Sequence, residues 1–147
     1  MTLFVAEGVI RTQQRAQERG GASLVNVVQH ALLRWLVTQS PRLQLDSPSD
    51  PGWLVGDARL HARRAPGNTN LGALRSQASE WRTPSVEHPP NNSKGCGAIM
   101  RSAPLGLAAA SREEAFEAAR DTAVVTHGHP SGSSLDSAGR APAAAST

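Results

Sequence analysis

Between Ser23 and Ser40 the apolar residues Val25, Val28, Leu32 and Trp35 recur at i, i+3, i+7 and i+10, which places them on one face of an α-helix. This spacing constrains the fold more than any other feature. Ser23 is positioned as an N-cap. Pro41 disfavours a helical conformation at Ser40, so the helix is predicted to end near Thr38 to Ser40. Upstream, Leu3, Ala6 and Ile10, with Val9 beside them, predict a first helix that starts without a cap and runs out at Arg19, before Gly20-Gly21. No stretch alternates apolar and polar residues convincingly, so no strand is predicted. No internal repeat is evident. The fold class expected is all-α.

The remaining segments continue the pattern. Arg42 to Gly52 is polar and proline-containing, a loop. Trp53 to His61 is either a short helix or an irregular packed segment, and Arg63 to Thr69 is a turn. Leu71 to Trp81 is predicted helical, capped by Asn68 or Thr69, with Leu71, Leu74 and Ala78 facing inward. Thr83 to Lys94 carries Pro84, Pro89 and Pro90 and forms an extended connector. Ile99 to Leu107 is predicted helical with a disturbance at Pro104, whose missing N–H removes an interior hydrogen bond. Ser111 with Glu114 forms a capping box, opening a helix through Ala115, Phe116, Ala119, Ala123 and Thr126 to Gly128. Ser133 to Thr147 is small, polar and alanine-rich, with no apolar face to bury, and is expected to be disordered. The division is thus a helical domain over residues 1–132 and a disordered tail over 133–147.

Several function classes fall away on composition. Aromatic residues make up 3% of the chain, tyrosine is absent and the apolar share is 39%, much of it alanine, so the core must be thin. The net charge is +3. The arginines are dispersed, Arg63-Arg64 excepted, with no basic block or interleaved aromatics, which argues against a nucleic-acid partner. One cysteine excludes an internal disulfide. No apolar run approaches the roughly 18 residues that span a bilayer. The first residues lack the basic region and cleavage site of a signal peptide. A cytoplasmic protein with no membrane partner is expected.

Chemistry concentrates in the run Asn91-Asn92-Ser93-Lys94-Gly95-Cys96-Gly97-Ala98-Ile99-Met100-Arg101. Gly95 and Gly97 allow close approach of the backbone to a ligand, and Ala98-Ile99-Met100 reads as the start of a buried helix. A loop feeding a helix N-terminus can hold an anion on backbone N–H groups; a tight turn between two helices fits the same residues. His127-Gly128-His129 offers two metal ligands without an apparent third, or a helix-ending histidine that caps carbonyls or touches a ligand. Cys96 is either a nucleophile with His127 as base or a small filler between glycines. Asp46, Asp50 and Asp57 match no calcium loop and are read as capping or solvated. Spacing alone names no reaction.

Four segments, in order, resemble the ADP-ribosylglycohydrolase family, which includes dinitrogenase reductase activating glycohydrolase. They are Met1 to Gly8, His61-Ala62-Arg63-Arg64-Ala65-Pro66-Gly67-Asn68-Thr69, Ser93-Lys94-Gly95-Cys96-Gly97-Ala98-Ile99-Met100-Arg101-Ser102-Ala103-Pro104, and Ala123 to Pro130. The resemblance covers residues 1 to about 132. It implies an all-α fold and hydrolysis of the glycosidic bond between ADP-ribose and an acceptor side chain, with two Mg²⁺ or Mn²⁺ ions in a complete member. It also implies that Ser93, Lys94, Gly95, Cys96 and Gly97 lie along the diphosphate and ribose. His127 would then project towards the ligand, and Gly67, Asn68 and Thr69 would form a second loop nearby. The partner implied is ADP-ribose or an ADP-ribosylated protein.

Three family motifs that supply metal ligands, of the types G-D-x-x-G-x-P-x-E, D-D-T and D-x-D-T/S, do not occur in these residues. The chain is therefore expected to be an internal piece of such an enzyme, ending in a tail of the kind a frameshift produces. No metal is expected to bind it, and hydrolysis is expected to be lost. The alternatives are a catalytically silent ADP-ribose-binding module and a helical interaction domain.

Overall fold

The computed structural model describes residues 1–40, 43, 52–80 and 82–133. Among them every regular element is helical. α1 (Thr2–Arg19) and α2 (Leu24–Gln39) are joined by four residues. α1 lacks a side-chain cap and ends on Gly20 in the left-handed region at φ 75°, a conformation that favours glycine. Ser23 caps α2 by accepting from the Asn26 N–H at 3.4 Å. Two 3₁₀ turns follow, Leu54–Gly56 and Ala58–His61, resolving the Trp53 to His61 segment as irregular. Asp57 caps the second of them through the Arg59 N–H and also holds the Arg59 side chain. Asp46 and Asp50, most of the 42–52 loop, Trp81 and the tail beyond Ser133 lie outside the described residues.

α3 (Asn68–Glu80) begins earlier than its apolar pattern indicated. Asn68 and Thr69 are its first residues rather than its cap, and Leu71 N–H donates to the Gly67 carbonyl. The segment predicted as one helix from Ile99 to Leu107 is two: a 3₁₀ turn, Ile99–Arg101, and α4 (Ala103–Ala108). The break falls at Ser102, ahead of Pro104, because proline sits without penalty in the first turn of a helix and badly inside one. α5 (Arg112–Ala123) opens on Ser111, whose Oγ accepts from Glu114 N–H at 3.1 Å, while the Glu114 carboxylate reaches back to Ala110 N–H. It ends at Ala123, short of Gly128. A turn carries the chain on to His127, and α6 (Pro130–Ser133) follows.

α2 is the hub. It packs against α1, α3 and α5, and α4 lies against α1 and α5. The core gathers Phe4, Val5 and Val9 of α1, the row from Val28 to Leu36 of α2, Leu71 and Leu74 of α3, Leu105 of α4 and Val125. α1 corrects its apolar pattern: Leu3 and Ile10 are exposed, whereas Phe4, Val5, Gly8 and Val9 are buried. Gly8 explains the rotation. A Cβ there would come 3.1 Å from Cα of Val28 and 3.4 Å from Cβ of Ala31, so α2 crosses α1 where the side chain is missing. Glu7 and Arg11 turn inward with it. The Glu7 carboxylate receives the Trp53 N–H at 2.5 Å, Arg34 at 3.5 Å and Arg11 at 3.8 Å, and Arg11 stacks over the Trp53 ring. This ionic cluster fixes the 3₁₀ segment onto both helices.

Candidate functional site

A cleft of about 460 Å³ opens between the start of α1, the end of α2, the Arg64 to Gly67 loop and the Cys96 to Arg101 segment. Local chemistry shapes its two loops. Gly67 sits at φ 76°, and Ala65 at φ 43° carries strain that a glycine would not. Asn70, in the first turn of α3, donates to the Pro66 carbonyl at 3.1 Å, closing the loop back on its helix.

The glycine loop is held from behind by an asparagine. Asn91 Nδ2 donates to the Thr126 carbonyl at 2.8 Å, and its Oδ1 accepts from Ser93 N–H at 2.9 Å and Gly128 N–H at 3.2 Å. Gly95 N–H donates to Ser93 Oγ at 3.2 Å. Backbone pairing of His129 N–H with the Ser93 carbonyl adds a further tie. Cys96 and Gly97 use neither N–H on a protein acceptor among the described residues. Two backbone donors therefore stand unengaged where both residues line the cleft.

His127 lies behind this loop. Its ring is buried, with Nδ1 2.8 Å from Thr126 Oγ1. The ring edge faces Gly95 and Gly97: Cβ atoms built on them would stand 3.2 Å from Nε2 and 2.9 Å from Cε1, respectively. A side chain at Gly97 would force a shift of the imidazole, and one at Gly95 would press on it more lightly. Burial, with the nearby Arg101 charge, lowers the His127 pKa below the usual imidazole value, so the ring is held neutral.

Arg101 completes the site. Its guanidinium donates from Nη1 to the Gly97 carbonyl at 3.2 Å and to Asn70 Oδ1 at 3.4 Å, and from Nη2 to the Thr122 carbonyl at 3.3 Å. One side chain thus joins the glycine loop, α3 and the end of α5.

Of the residues singled out in the sequence, Gly67, Cys96 and Gly97 line the cleft. Ser93, Gly95 and His127 form the backing of the loop. Asn68, Thr69 and Lys94 are outside the lining, with Asn68 and Lys94 exposed. Two expectations are corrected. Ile99 and Met100 are exposed, so Ala98 alone begins a buried run, and the loop leads into a single 3₁₀ turn rather than a long helix N-terminus. Cys96, read as a nucleophile or a small filler between glycines, is exposed, with Sγ 3.9 Å from Met100 Sδ and no hydrogen bond to His127. Asn70, Asn91 and Arg101 were not singled out as site residues. An arginine following Ala98-Ile99-Met100 was the one available signal, since a charge inside an apolar run marks a buried partner network.

No three His, Cys, Asp or Glu side chains lie together as a metal-binding group among the described residues. His129 instead turns Nδ1 to Ser131. Among the described residues no donor set fits a pair of divalent ions.

No curated protein and no solved structure gives a significant match to the chain. The family model described as ADP-ribosylglycohydrolase matches residues 1–145, a span that contains both loops of the cleft, the histidine behind them and the residues past 132 as well. The chain belongs to the ADP-ribosylglycohydrolase family.

Proposed function

We propose that the cleft takes ADP-ribose, free or attached to a protein, and that this chain binds it without hydrolysing the glycosidic bond that a complete homologue cleaves. In this reading the Ser93 to Gly97 loop meets the diphosphate and ribose through Cys96 and Gly97, its two residues on the cleft lining. Gly67 stands on the second wall, with Asn68 and Thr69 just beyond it at the start of α3, and His127 supports the loop from behind. The observation that carries the reading is the pair of unengaged N–H groups at Cys96 and Gly97, set in a cleft with the buried Arg101. Backbone donors of this kind neutralise phosphate oxygens without a phosphate-specific side chain.

The proposed absence of hydrolysis is supported by the donor set among the described residues. Complete members work through two Mg²⁺ or Mn²⁺ ions, and the described residues bring together no group able to hold them. We therefore route no hydrolytic step and no metal through the described residues. No described helix is long and apolar enough to cross a membrane, and the proposal places the chain in the cytoplasm.

Calorimetric titration tests the binding reading. Saturable heat with Kd below about 1 mM is expected; a folded protein that gives no heat with millimolar ADP-ribose removes it. Incubation with an ADP-ribosylated arginine or serine substrate and Mg²⁺ or Mn²⁺ is expected to release no ADP-ribose above the blank. Sustained turnover would overturn the silent-module reading.

A further inference from the structure

The buried arginines of this protein are treated differently. Arg11 and Arg34 flank the carboxylate of Glu7. Arg101 is 3% exposed and has no carboxylate within ion-pair distance among the described residues. Its three acceptors are two backbone carbonyls and an amide oxygen, all neutral. Burial alone pushes its pKa down to about 10, which leaves it charged at neutral pH. An isolated buried cation is costly, so a fold that retains one beside a cleft holds an electrostatic asymmetry there. Field lines from such a charge concentrate in the cavity instead of being screened by water. The other arginine at the cleft, Arg64, is exposed, so solvent weakens its field.

We infer that Arg101 is the positioning residue of the cleft, its hydrogen bonds holding the Gly97 loop against α3 and α5 while its uncompensated charge makes the cavity favour anionic ligands over neutral ones. The inference deepens the ADP-ribose reading, on which it rests for the identity of the anion. Positioning and charge selection are separable, since a neutral donor of similar shape keeps part of the first and none of the second.

Cys96, exposed and on the cleft lining, is a built-in probe of this field. Its thiolate displaces iodide from both iodoacetate, which is anionic, and iodoacetamide, which is neutral, forming the same S–C bond. The ratio of the two rates cancels the reactivity of the thiol and reports the local potential. The ratio for the native chain is expected to exceed that for the urea-unfolded chain by at least about threefold. Arg101→Lys should retain it and Arg101→Gln should return it to the unfolded value, with Arg64→Gln changing it less. A native ratio equal to the unfolded one overturns the inference without any variant having to fold. So does an unchanged ratio in a folded Arg101→Gln, or a loss that follows Arg64→Gln instead. A raised ratio without heat from ADP-ribose keeps Arg101 as the anion-selecting residue and removes only the ligand assignment; heat with a flat ratio does the reverse.

Discussion

His127 stands directly behind Gly97: a Cβ on that glycine would lie 2.9 Å from Cε1 of the imidazole and 3.2 Å from Nδ2 of Asn70. The neighbours on both sides are themselves hydrogen-bonded, His127 to Thr126 and Asn70 to Pro66, so neither yields freely. Gly97→Ala is therefore expected to destabilise the fold by about 1–3 kcal/mol, the usual cost of overpacking, and to weaken the proposed binding of ADP-ribose. Gly95→Ala, whose Cβ would meet Nε2 at 3.2 Å and Ser93 Oγ at 3.3 Å, should cost less. Urea unfolding of both variants checks the order, and a larger loss in Gly95→Ala would contradict this packing.

Gly128 is the tighter position. A Cβ there would collide with the Asn91 carbonyl oxygen and with Cβ of Pro89, atoms that cannot rotate away. Gly128→Ala is expected to cost more than Gly97→Ala, on the order of 3 kcal/mol or above. It should also detach the Asn91 clasp, read as faster hydrogen exchange at the Ser93 and Gly128 amides.

Glu7 is the shared carboxylate of a buried cluster, with Arg11 and Arg34 on either side and Trp53 N–H on Oε1. Removing one member of a buried ionic cluster leaves its partners desolvated without that charge, typically a loss of about 3–5 kcal/mol. Glu7→Ala should approach that range in denaturant unfolding. A change below about 1 kcal/mol would mean that the cluster is solvated in solution.

Stability should fall in mild acid. The His127 pKa is lowered in the folded chain by burial and then by Arg101, and that of His30 by burial and then by Arg34 and Arg15. As pH falls through the ordinary histidine value near 6.5, the unfolded chain takes up protons that the folded chain refuses. The contribution of each group is thus full above about 6.5 and is lost as pH drops towards its folded value. The melting temperature is expected to decline from pH 7.5 to 5.5, and the decline should be shallower in His127→Gln, with His30 supplying what remains. A pH-independent melting temperature would show that neither ring is held neutral.

Much of the chain was legible from near neighbours. Ser23 and Ser111 announced the starts of α2 and α5 because a cap and the N–H it accepts are three residues apart. Gly20 marked the end of α1 for the same local reason. Pro104 was placed correctly as a disturbance but misread as lying inside a helix, since the sequence does not show whether the chain restarts ahead of a proline. In the cleft, Gly67, Cys96 and Gly97 were legible as loop residues. Asn91 and Arg101 fell at the ends of the same run, but what their side chains hold was not legible, because their partners are Thr126, Gly128, Asn70 and Thr122.

By itself the sequence determined an all-helical chain, the order of its main helices, the glycines of the loop and the family. These rest on spacings of a few residues and on motifs that are contiguous. Only the tertiary structure decided which face of α1 is buried, because α2 approaches at Gly8 and turns Glu7 and Arg11 inward with it. Only it placed the glycine loop against His127 and a buried guanidinium at Arg101 with no carboxylate partner among the described residues. Those outcomes depend on which distant surfaces meet, and neighbours in the sequence do not record that.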